Sequence, residues 1–369
     1  MRVLLGMPDR NSLGGPAACE PPFVEGLRAA GVEVAEETYV YGESLKGTTS
    51  AERVARVLRT ARALRRRLRG RRFDLVHLNT SFDARALLRD VPTLVALRGS
   101  GAKIFLKFHG SDAALFETKS AARRALRDAL LARADGFGLL SSEERDNFAR
   151  AGADAGRLFV VKNAVTLEGY ERDAGFAARV RVPEGVPLLL FVARFIPAKG
   201  LLDVVRAVAV LRERGEECAL LCLGDGPARA EAEAEVARLN LRERVRFFGY
   251  VPEREARDFY ANSTALVFPT YHYEGFPMVV FNSLAAGLPV VTTRIRAAAD
   301  YLREPDNCLW TPPRDPAALA EKISTLLSQT QLRATMNDNN RRLARRFDAE
   351  QVAREYVEVY RKILAGRAA

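Results

Sequence analysis

Short apolar runs alternate with longer amphipathic segments along the first half of the chain. The apolar runs predict strands at Val3–Gly6, Val32–Ala35, Leu75–Leu78, Ile104–Phe108, Gly136–Leu140 and Phe159–Val161. The segments between them carry apolar residues at helical spacing and predict helices at Pro22–Ala30, Ala51–Arg69, Ser120–Arg133 and Glu143–Ala151. Because the strands of a parallel sheet covered on both faces are continuously apolar, this alternation predicts a doubly wound α/β domain.

The alternation stops at residues 164–187, which are polar, contain glycine and proline, and fit no strand, so they are interpreted as a linker. In the second series that follows, strands are predicted at Leu188–Val192, Ala219–Leu223, Val245–Phe248, Leu266–Phe268 and Val290–Thr292. Its helices are predicted at Leu201–Arg214, Arg229–Leu239, Glu253–Asn262, Met278–Ala286, Pro316–Ser328, Leu332–Arg346 and Ala349–Ala365. The pattern predicts two Rossmann-like domains, residues 1–168 and 186–348, that face a central cleft.

The composition is typical of a globular protein, because 48% of the 369 residues are hydrophobic and 28% are charged. The four cysteines are too few and too scattered for a disulfide framework, and they match no zinc-ligand spacing. No apolar run approaches the roughly 18 residues that cross a bilayer, and the start of the chain does not resemble a secretory signal. A reducing, cytoplasmic location is therefore expected.

The net charge of +11 is concentrated in residues 51–72, which hold ten arginines and one glutamate. The apolar residues of this segment are helically spaced, so it predicts a basic amphipathic helix. Two interpretations stay open: a solvated outer face, or adhesion to an anionic membrane surface at the inner face of the membrane. Nucleic-acid binding is not expected, because the segment has no aromatic residue to stack on bases and no nucleic-acid-binding motif occurs elsewhere.

Ligands of open α/β sheets bind beyond the carboxyl ends of the strands, so the loops after the predicted strands are candidate sites. Arg194 and Lys199 lie in such a loop, VARFIPAKG, where two cations suit a diphosphate. A pair of exposed surface bases is the simpler alternative. The GDGP loop, Gly224–Pro227, is more typical of a tight strand-to-helix turn than of dinucleotide binding.

The segment PTYHYEGFPMVVFNSLAAGLPVV, which begins at Pro269, combines a strand end, a loop and a helix that starts near Pro277. The amides at a helix N-terminus bind anions. Glu274 in the loop is then placed to accept hydrogen bonds from sugar hydroxyls, with a capping role at the helix start as the alternative.

Two further features, both in the first half of the chain, are candidate site residues. His109 ends the predicted strand KIFLKF, where an imidazole is available for hydrogen bonding or proton transfer. By contrast, His77 and His272 fit a structural role. Gly14 and Gly15 follow the first strand and resemble a turn that approaches a phosphate, although alone they indicate only a turn.

Taken in order, these segments resemble the retaining glycosyltransferase family 4 (the group 1 family), which has the two-domain GT-B fold. The resemblance covers nearly the whole chain and runs through the Gly-Gly loop, the His-Gly pair, R-F-x-x-x-K-G, GDGP, FFGYVP and E-G-F-P-x-x-x-x-N-S-L-A-A-G-L-P-V-V. The last motif is the most specific. The resemblance also implies that the final helix crosses back and completes the N-terminal domain with residues 349–369.

The resemblance implies a role for each matching residue. Gly14 and Gly15 give the donor diphosphate room, and Arg194 and Lys199 neutralise it as it leaves. Glu274 meets the sugar hydroxyls, and His109 lies near the transferred sugar. The remaining donor contacts are implied for the amides of Gly275, Phe276 and Pro277 and for the backbone near Val251, beside the nucleobase.

The chain departs from the family pattern E-x7-E, in which a second glutamate contacts the donor ribose. The position eight residues after Glu274 is Asn282. An amide hydrogen-bonds a ribose hydroxyl without carrying charge, so the ribose contact and the nucleotide preference are the features in question. The segment VKNAVT also differs from the usual P-N-G-V-D, where a conformational effect is expected.

The implied function is a retaining, metal-independent transfer of a sugar from a nucleotide-diphosphate sugar to a hydroxyl acceptor, in polysaccharide or glycolipid biosynthesis. No cofactor is expected beyond the nucleotide-sugar, which is a co-substrate. The alternatives are a non-catalytic nucleotide-sugar-binding protein, which Asn282 motivates, and a nucleotide-sugar epimerase, which would need more carboxylates around the sugar than Glu274 alone. Donor base, donor sugar and acceptor are left open.

Overall fold

The computed structural model describes residues 1–8, 15–39, 49–70 and 72–366. Within these residues the chain forms two six-stranded sheets and divides into two compact units. The first unit contains Met1–Ala164, Tyr273–Phe276 and Ala349–Ala369. The second unit contains Val165–His272 and Pro277–Asp348.

The sheet of the first unit has the strand order β2-β1-β3-β4-β5-β6, with every neighbouring pair parallel. Its strands are β1 (Arg2–Met7), β2 (Glu33–Thr38), β3 (Leu75–Phe82), β4 (Lys103–Ser111), β5 (Gly136–Leu139) and β6 (Leu158–Val160). Its helices are α1 (Gly15–Ala29), α2 (Ser50–Gly70), α3 (Ala84–Leu97), α4 (Ala113–Phe116), α5 (Ala121–Arg133) and α6 (Ser142–Arg150). The last helix of the chain, α15 (Ala349–Leu364), packs against α1.

The sheet of the second unit has the order β12-β11-β10-β7-β8-β9 and is also parallel throughout. Its strands are β7 (Leu188–Val192), β8 (Ala219–Leu223), β9 (Val245–Gly249), β10 (Ala265–Phe268), β11 (Val290–Thr292) and β12 (Cys308–Trp310). Its helices are α7 (Phe176–Arg179), α8 (Leu201–Glu213), α9 (Arg229–Arg238), α10 (Glu253–Asn262), α11 (Met278–Ala286), α12 (Arg296–Tyr301), α13 (Pro316–Ser328) and α14 (Thr330–Ala344).

Both sheets are therefore doubly wound, and the predicted fold class is confirmed. In each sheet the strand order reverses beside the strand that begins the unit: between β1 and β3 in the first, and between β7 and β10 in the second. Loops diverge at such a point and open a crevice at the carboxyl edge of the sheet, where ligands of open α/β folds bind.

Five elements of the described residues were not predicted from the pattern of apolar residues: α3, the strand β12 and the short helices α4, α7 and α12, of which α7 lies within the segment interpreted as a linker. The helix α3 contains Pro92 and still continues to Leu97, because its apolar face is buried and Asp83 caps its first turn through the amides of Arg85 and Ala86. The edge strand β12 and the helix α12 are only three and six residues long, too short to show a period.

The start of α1 was also predicted wrongly. The helix begins at Gly15 and continues through Pro21 and Pro22, although proline in a helix interior removes a backbone donor. Cys19, Glu20 and Phe23 are buried on this helix. Their burial favours the helical turn that the local sequence disfavours.

None of the helices within the described ranges is both long and apolar enough to cross a membrane.

Candidate functional site

The loop between β7 and α8 carries Arg194 and Lys199, and the neighbouring strand holds its backbone in place. The Phe195 amide donates to the Asp225 carbonyl, and the Ala193 amide donates to the Leu223 carbonyl. Arg194 is exposed. Lys199 is half-buried and ends the 3₁₀ turn Pro197–Lys199, which precedes α8. Both cations therefore leave the second sheet at its carboxyl edge, beside the strand-order reversal.

The GDGP segment supports this loop from the next strand. Gly224 has a φ of +129°, and a Cβ there would lie 1.8 Å from the Ala193 carbonyl oxygen. Only glycine permits both this backbone conformation and this approach. The structure thus agrees with the tight-turn interpretation of GDGP, with the glycine making room for the chain that leads into Arg194.

The loop between β10 and α11 leaves the sheet on the other side of the same reversal. The Tyr271 amide donates to the Ala198 carbonyl at 2.9 Å, and the Thr270 hydroxyl donates to the same oxygen at 3.3 Å. The segment that leads to Glu274 is therefore hydrogen-bonded to the residue before Lys199. Pro277 is the N-cap of α11, one position earlier than the first helical turn predicted for it.

The short segment Tyr273–Phe276 belongs to the first unit, where it lies against the end of β4. A Cβ at Gly275 would lie 2.7 Å from the His109 carbonyl oxygen, and one at Gly110 would lie 3.5 Å from the Tyr273 carbonyl oxygen. The glycine after Glu274 is therefore required by a close backbone approach. Glu274 and Phe276 flank this contact, half-buried and buried respectively.

Beneath His109 lies a buried polar network that the sequence did not indicate. The Lys107 ammonium donates to Glu20 Oε1 at 2.6 Å, and Asn79 Nδ2 donates to Glu20 Oε2 at 3.0 Å. Asn79 Nδ2 also donates to the Gly6 carbonyl, so Asn79 Oδ1 is directed at His109 Nε2, 2.9 Å away. His109 Nε2 is therefore the donor of that bond and carries the proton.

The network keeps His109 neutral. Burial and the nearby Lys107 charge lower the pKa of His109 well below its ordinary value. His109 can therefore orient or accept hydrogen bonds near neutral pH, whereas an imidazolium is disfavoured. The only sequence signal for the network was the lysine inside the apolar strand KIFLKF.

His77 has the structural role predicted for it. Its Nδ1 lies 2.6 Å from the Tyr360 hydroxyl of α15, and the residue is fully buried. Burial is the main cause of the lowered pKa of His77, and the nearby Lys107 charge lowers it further.

Cys19, Glu20 and His109 bring three potential metal-ligand atoms within 4.8 Å of one another. The donor set does not suit a cation, because the Lys107 ammonium already binds the carboxylate. Burial also raises the pKa of Cys19, so its thiol stays protonated.

The departure at Asn282 has a structural counterpart. Asn282 is buried on α11, and its Nδ2 donates to Glu253 Oε1 at 2.6 Å. Glu253 is the first residue of α10, two positions after Val251 in the loop that follows β9. A carboxylate therefore adjoins the position where the E-x7-E pattern would have one, although it comes from another helix.

Of the two N-terminal glycines, Gly14 lies outside the described residues. Gly15 begins α1. The remaining site residues fall into two groups, each within one unit. His109, Glu274, Gly275 and Phe276 lie in the first unit, and Arg194, Lys199, Val251, Pro277 and Asn282 lie in the second.

Two family profiles match successive parts of the chain. The profile described as Glycosyltransferase Family 4 matches residues 23–168, and the profile described as Glycosyl transferases group 1 matches residues 176–343. The chain belongs to the group 1 glycosyltransferases of family 4. The family predicted from the motifs is thereby confirmed, and so is the GT-B fold class, which solved glycosyltransferase structures share.

The glycosyltransferase relatives are distant. A D-inositol 3-phosphate glycosyltransferase of Corynebacterium efficiens is 30% identical over 254 residues, which are 66% of this chain and 60% of that protein. Sucrose-phosphate synthase of Thermosynechococcus elongatus superposes with a TM-score of 0.80 at 22% identity over 99% of both chains. Alr3699/HepE of Anabaena, in complex with UDP and glucose, gives a TM-score of 0.77 at 18% identity, over 97% of this chain and 98% of that one. The chain spans 49% and 60% of the length of the first two curated relatives that it matches.

Proposed function

We propose that this glycosyltransferase moves a sugar from a nucleotide-diphosphate sugar to a hydroxyl acceptor, with retention at the anomeric carbon and without a metal ion. The observation that carries the proposal is the pair of cations, Arg194 and Lys199, on one loop at the strand-order reversal of the second sheet. The solved complexes of the Anabaena protein with UDP-glucose and with UDP support a nucleotide-sugar donor.

The chemical step produces a nucleoside diphosphate, and its negative charge grows as the glycosidic bond breaks. A guanidinium binds two phosphate oxygens at once, whereas an ammonium acts as a point charge. The hydrogen bonds from Ala193 and Phe195 hold the Arg194 loop before substrate arrives, so little reorganisation is needed in the transition state. Such prepositioned charge is usually the largest single contribution to catalysis.

In the first unit, the Glu274 carboxylate and Nδ1 of neutral His109 supply hydrogen-bond acceptors for sugar hydroxyls, because the one N–H of His109 is donated to Asn79. The Asn79 and Glu20 side chains fix the His109 ring, and the low pKa of His109 argues against a role as general acid near pH 7. We assign the acceptor proton to an oxygen of the departing diphosphate, which is a base placed beside the reacting carbon. Retention is the stereochemistry implied by the family resemblance.

The experiment compares Arg194→Ala and Lys199→Ala with Arg206→Ala, an exposed cation on α8 of the same unit. A thermal-shift panel of UDP-, GDP- and ADP-sugars first identifies the donor that stabilises the protein. With that donor, each loop variant is expected to release diphosphate about a hundredfold to a thousandfold more slowly, whereas Arg206→Ala stays near the unmodified rate.

The products of the same reaction separate the alternatives. Transfer or hydrolysis releases the nucleoside diphosphate, and NMR of the anomeric proton of the product reports retention. An isomeric nucleotide-sugar with no diphosphate released would indicate the epimerase. Donor binding without any turnover would favour the non-catalytic binding protein, and near-normal rates in both loop variants would refute the diphosphate assignment. Activity after dialysis against EDTA tests metal independence.

The helix α2 supports a finer proposal: adhesion at an anionic, inner membrane face, where lipid-linked acceptors of polysaccharide or glycolipid synthesis reside. Ala61, Leu64 and Leu68 are buried, whereas Val54 and Leu58 are 60% and 45% exposed on this arginine-rich helix. Exposed apolar side chains among basic ones are typical of interfacial helices. Sedimentation with vesicles containing phosphatidylglycerol, but not with pure phosphatidylcholine, is expected. Loss of that binding in the double variant Val54→Ser/Leu58→Ser would identify the helix as the contact, and equal sedimentation with both vesicles would refute an anionic preference.

A further inference from the structure

We infer that Glu253, held by Asn282, is the residue that distinguishes a ribonucleotide donor from its deoxy analogues by accepting hydrogen bonds from the ribose hydroxyls. The inference rests on the proposed function, because it concerns the nucleoside part of the same donor. In the family pattern a glutamate at the position of Asn282, on α11, contacts the ribose. The inference assigns that ribose contact to Glu253 on α10.

The position of Glu253 at the carboxyl edge of the sheet is the first step. It begins α10 directly after the loop from β9, and Asn282 lies in the second turn of α11, after the loop from β10. The Gly224 amide after β8 donates to the Gly249 carbonyl at the end of β9, at 2.7 Å. The loops that carry Arg194 and Glu253 thus adjoin the same GDGP turn, and both lie on the side of the sheet where ligands bind.

The spacing of the strands is the second step. The strands β7 and β9 are separated only by β8, and two interstrand spacings amount to about 10 Å. A nucleoside 5′-diphosphate extends over that range. A diphosphate on the Arg194 loop therefore directs its nucleoside towards the start of α10.

The chemistry of the pair is the third step. A carboxylate accepts two hydrogen bonds from the adjacent hydroxyls of a ribose, and an acidic residue at the sheet edge performs this task in dinucleotide-binding folds. Glu253 Oε1 accepts a hydrogen bond from Asn282 Nδ2 at 2.6 Å. The buried amide therefore holds the half-buried carboxylate in one orientation.

The decisive variants change the charge of the Glu253 and Asn282 side chains with little change in their shape. Glu253→Gln removes the charge, and Glu255→Gln is the matched control, since Glu255 is an exposed glutamate in the same helical turn. The double variant Glu253→Gln/Asn282→Glu exchanges the amide and the carboxylate. Thermal unfolding of each variant checks that the fold is retained.

Calorimetry measures the affinity of each protein for UDP, GDP and ADP and for their 2′-deoxy and 3′-deoxy counterparts. The unmodified protein should prefer the ribonucleotide by about tenfold or more, the size expected for hydrogen bonds to a charged group. In Glu253→Gln that preference should fall to within about twofold, because the ribonucleotide loses affinity and the deoxynucleotide does not. Glu255→Gln should keep the preference, and the exchanged pair should restore it.

Other outcomes overturn the inference. An equal loss for ribo- and deoxynucleotides in Glu253→Gln would mean that Glu253 only supports the fold of the site. An unmodified protein that binds nucleoside diphosphates with no preference for ribose would refute the ribose contact and leave the proposed function standing. A protein that binds none of these diphosphates would refute both.

Discussion

Replacing Lys107 by methionine leaves the Glu20 carboxylate unpaired in the interior. The two side chains are 1% and 0% exposed, and their charged atoms are 2.6 Å apart. Removing one partner of a buried ion pair costs about 3–5 kcal/mol, because the remaining charge keeps its desolvation penalty without its counter-charge. Methionine fills a similar volume between the rings of Phe23 and Tyr356, which flank the ammonium. We expect the free energy of unfolding at pH 7.5 to fall by about 3–5 kcal/mol in Lys107→Met.

The pH dependence identifies the cause of this loss. In the unmodified protein the pKa of His109 is lowered, so below pH 6.5 the unfolded chain takes up a proton that the folded protein does not. This proton uptake lowers the free energy of unfolding by about 1.4 kcal/mol at pH 5.5. In the variant the ammonium is absent and Glu20 Oε1 remains 3.5 Å from His109 Nε2. The opposite charge raises the pKa of His109 relative to the unmodified protein, although burial still lowers it, so the folded variant takes up the proton more readily and the penalty decreases.

The stability gap between the two proteins should therefore narrow with falling pH, by up to about 1.4 kcal/mol between pH 7.5 and pH 5.5. Urea unfolding followed by circular dichroism measures the gap at each pH. Because the chain has only three histidines, NMR titration of their ring protons reads the pKa of His109 directly. The double variant Lys107→Met/Glu20→Gln is the control, since it has no carboxylate to raise that pKa. A gap that is constant with pH, together with an unchanged pKa, would refute the electrostatic argument.

Three further predictions follow from close contacts. Gly275→Ala places a Cβ 2.7 Å from the His109 carbonyl oxygen, so donor turnover should fall at least tenfold. The melting temperature shows whether the fold persists, and normal turnover would contradict the close approach of the two backbone segments. Gly26→Ala would ordinarily stabilise a helix by up to about 1 kcal/mol, but its Cβ would lie 2.4 Å from the Ala349 carbonyl oxygen of α15. The free energy of unfolding in urea should therefore fall by about 1–3 kcal/mol, and an increase would disprove the contact. Tyr360→Phe leaves buried His77 Nδ1 without its partner and should cost about 1–3 kcal/mol in the same assay, with an unchanged midpoint as the contrary result.

The second unit shows how much local sequence determines. The bounds of β7, β8, β11, α10, α11 and α13 agree with the periodicity, because a buried parallel strand is a continuous apolar run and an amphipathic helix has its own period. The loops that carry Arg194 and Glu274 follow from those elements, since both lie after strands. The motif order then indicated the family that the profiles confirm.

What the sequence left undecided is the pairing of polar side chains. Glu20, Asn79 and Lys107 come from α1, β3 and β4, and no local period relates them. The hydrogen bond between Asn282 and Glu253 likewise joins two helices. The sequence showed that the second glutamate of E-x7-E was absent, but not that the Glu253 carboxylate lies next to the amide that replaces it. Burial decides these contacts, because a polar group removed from water requires a partner, and only the packing of distant elements determines which partner is within reach.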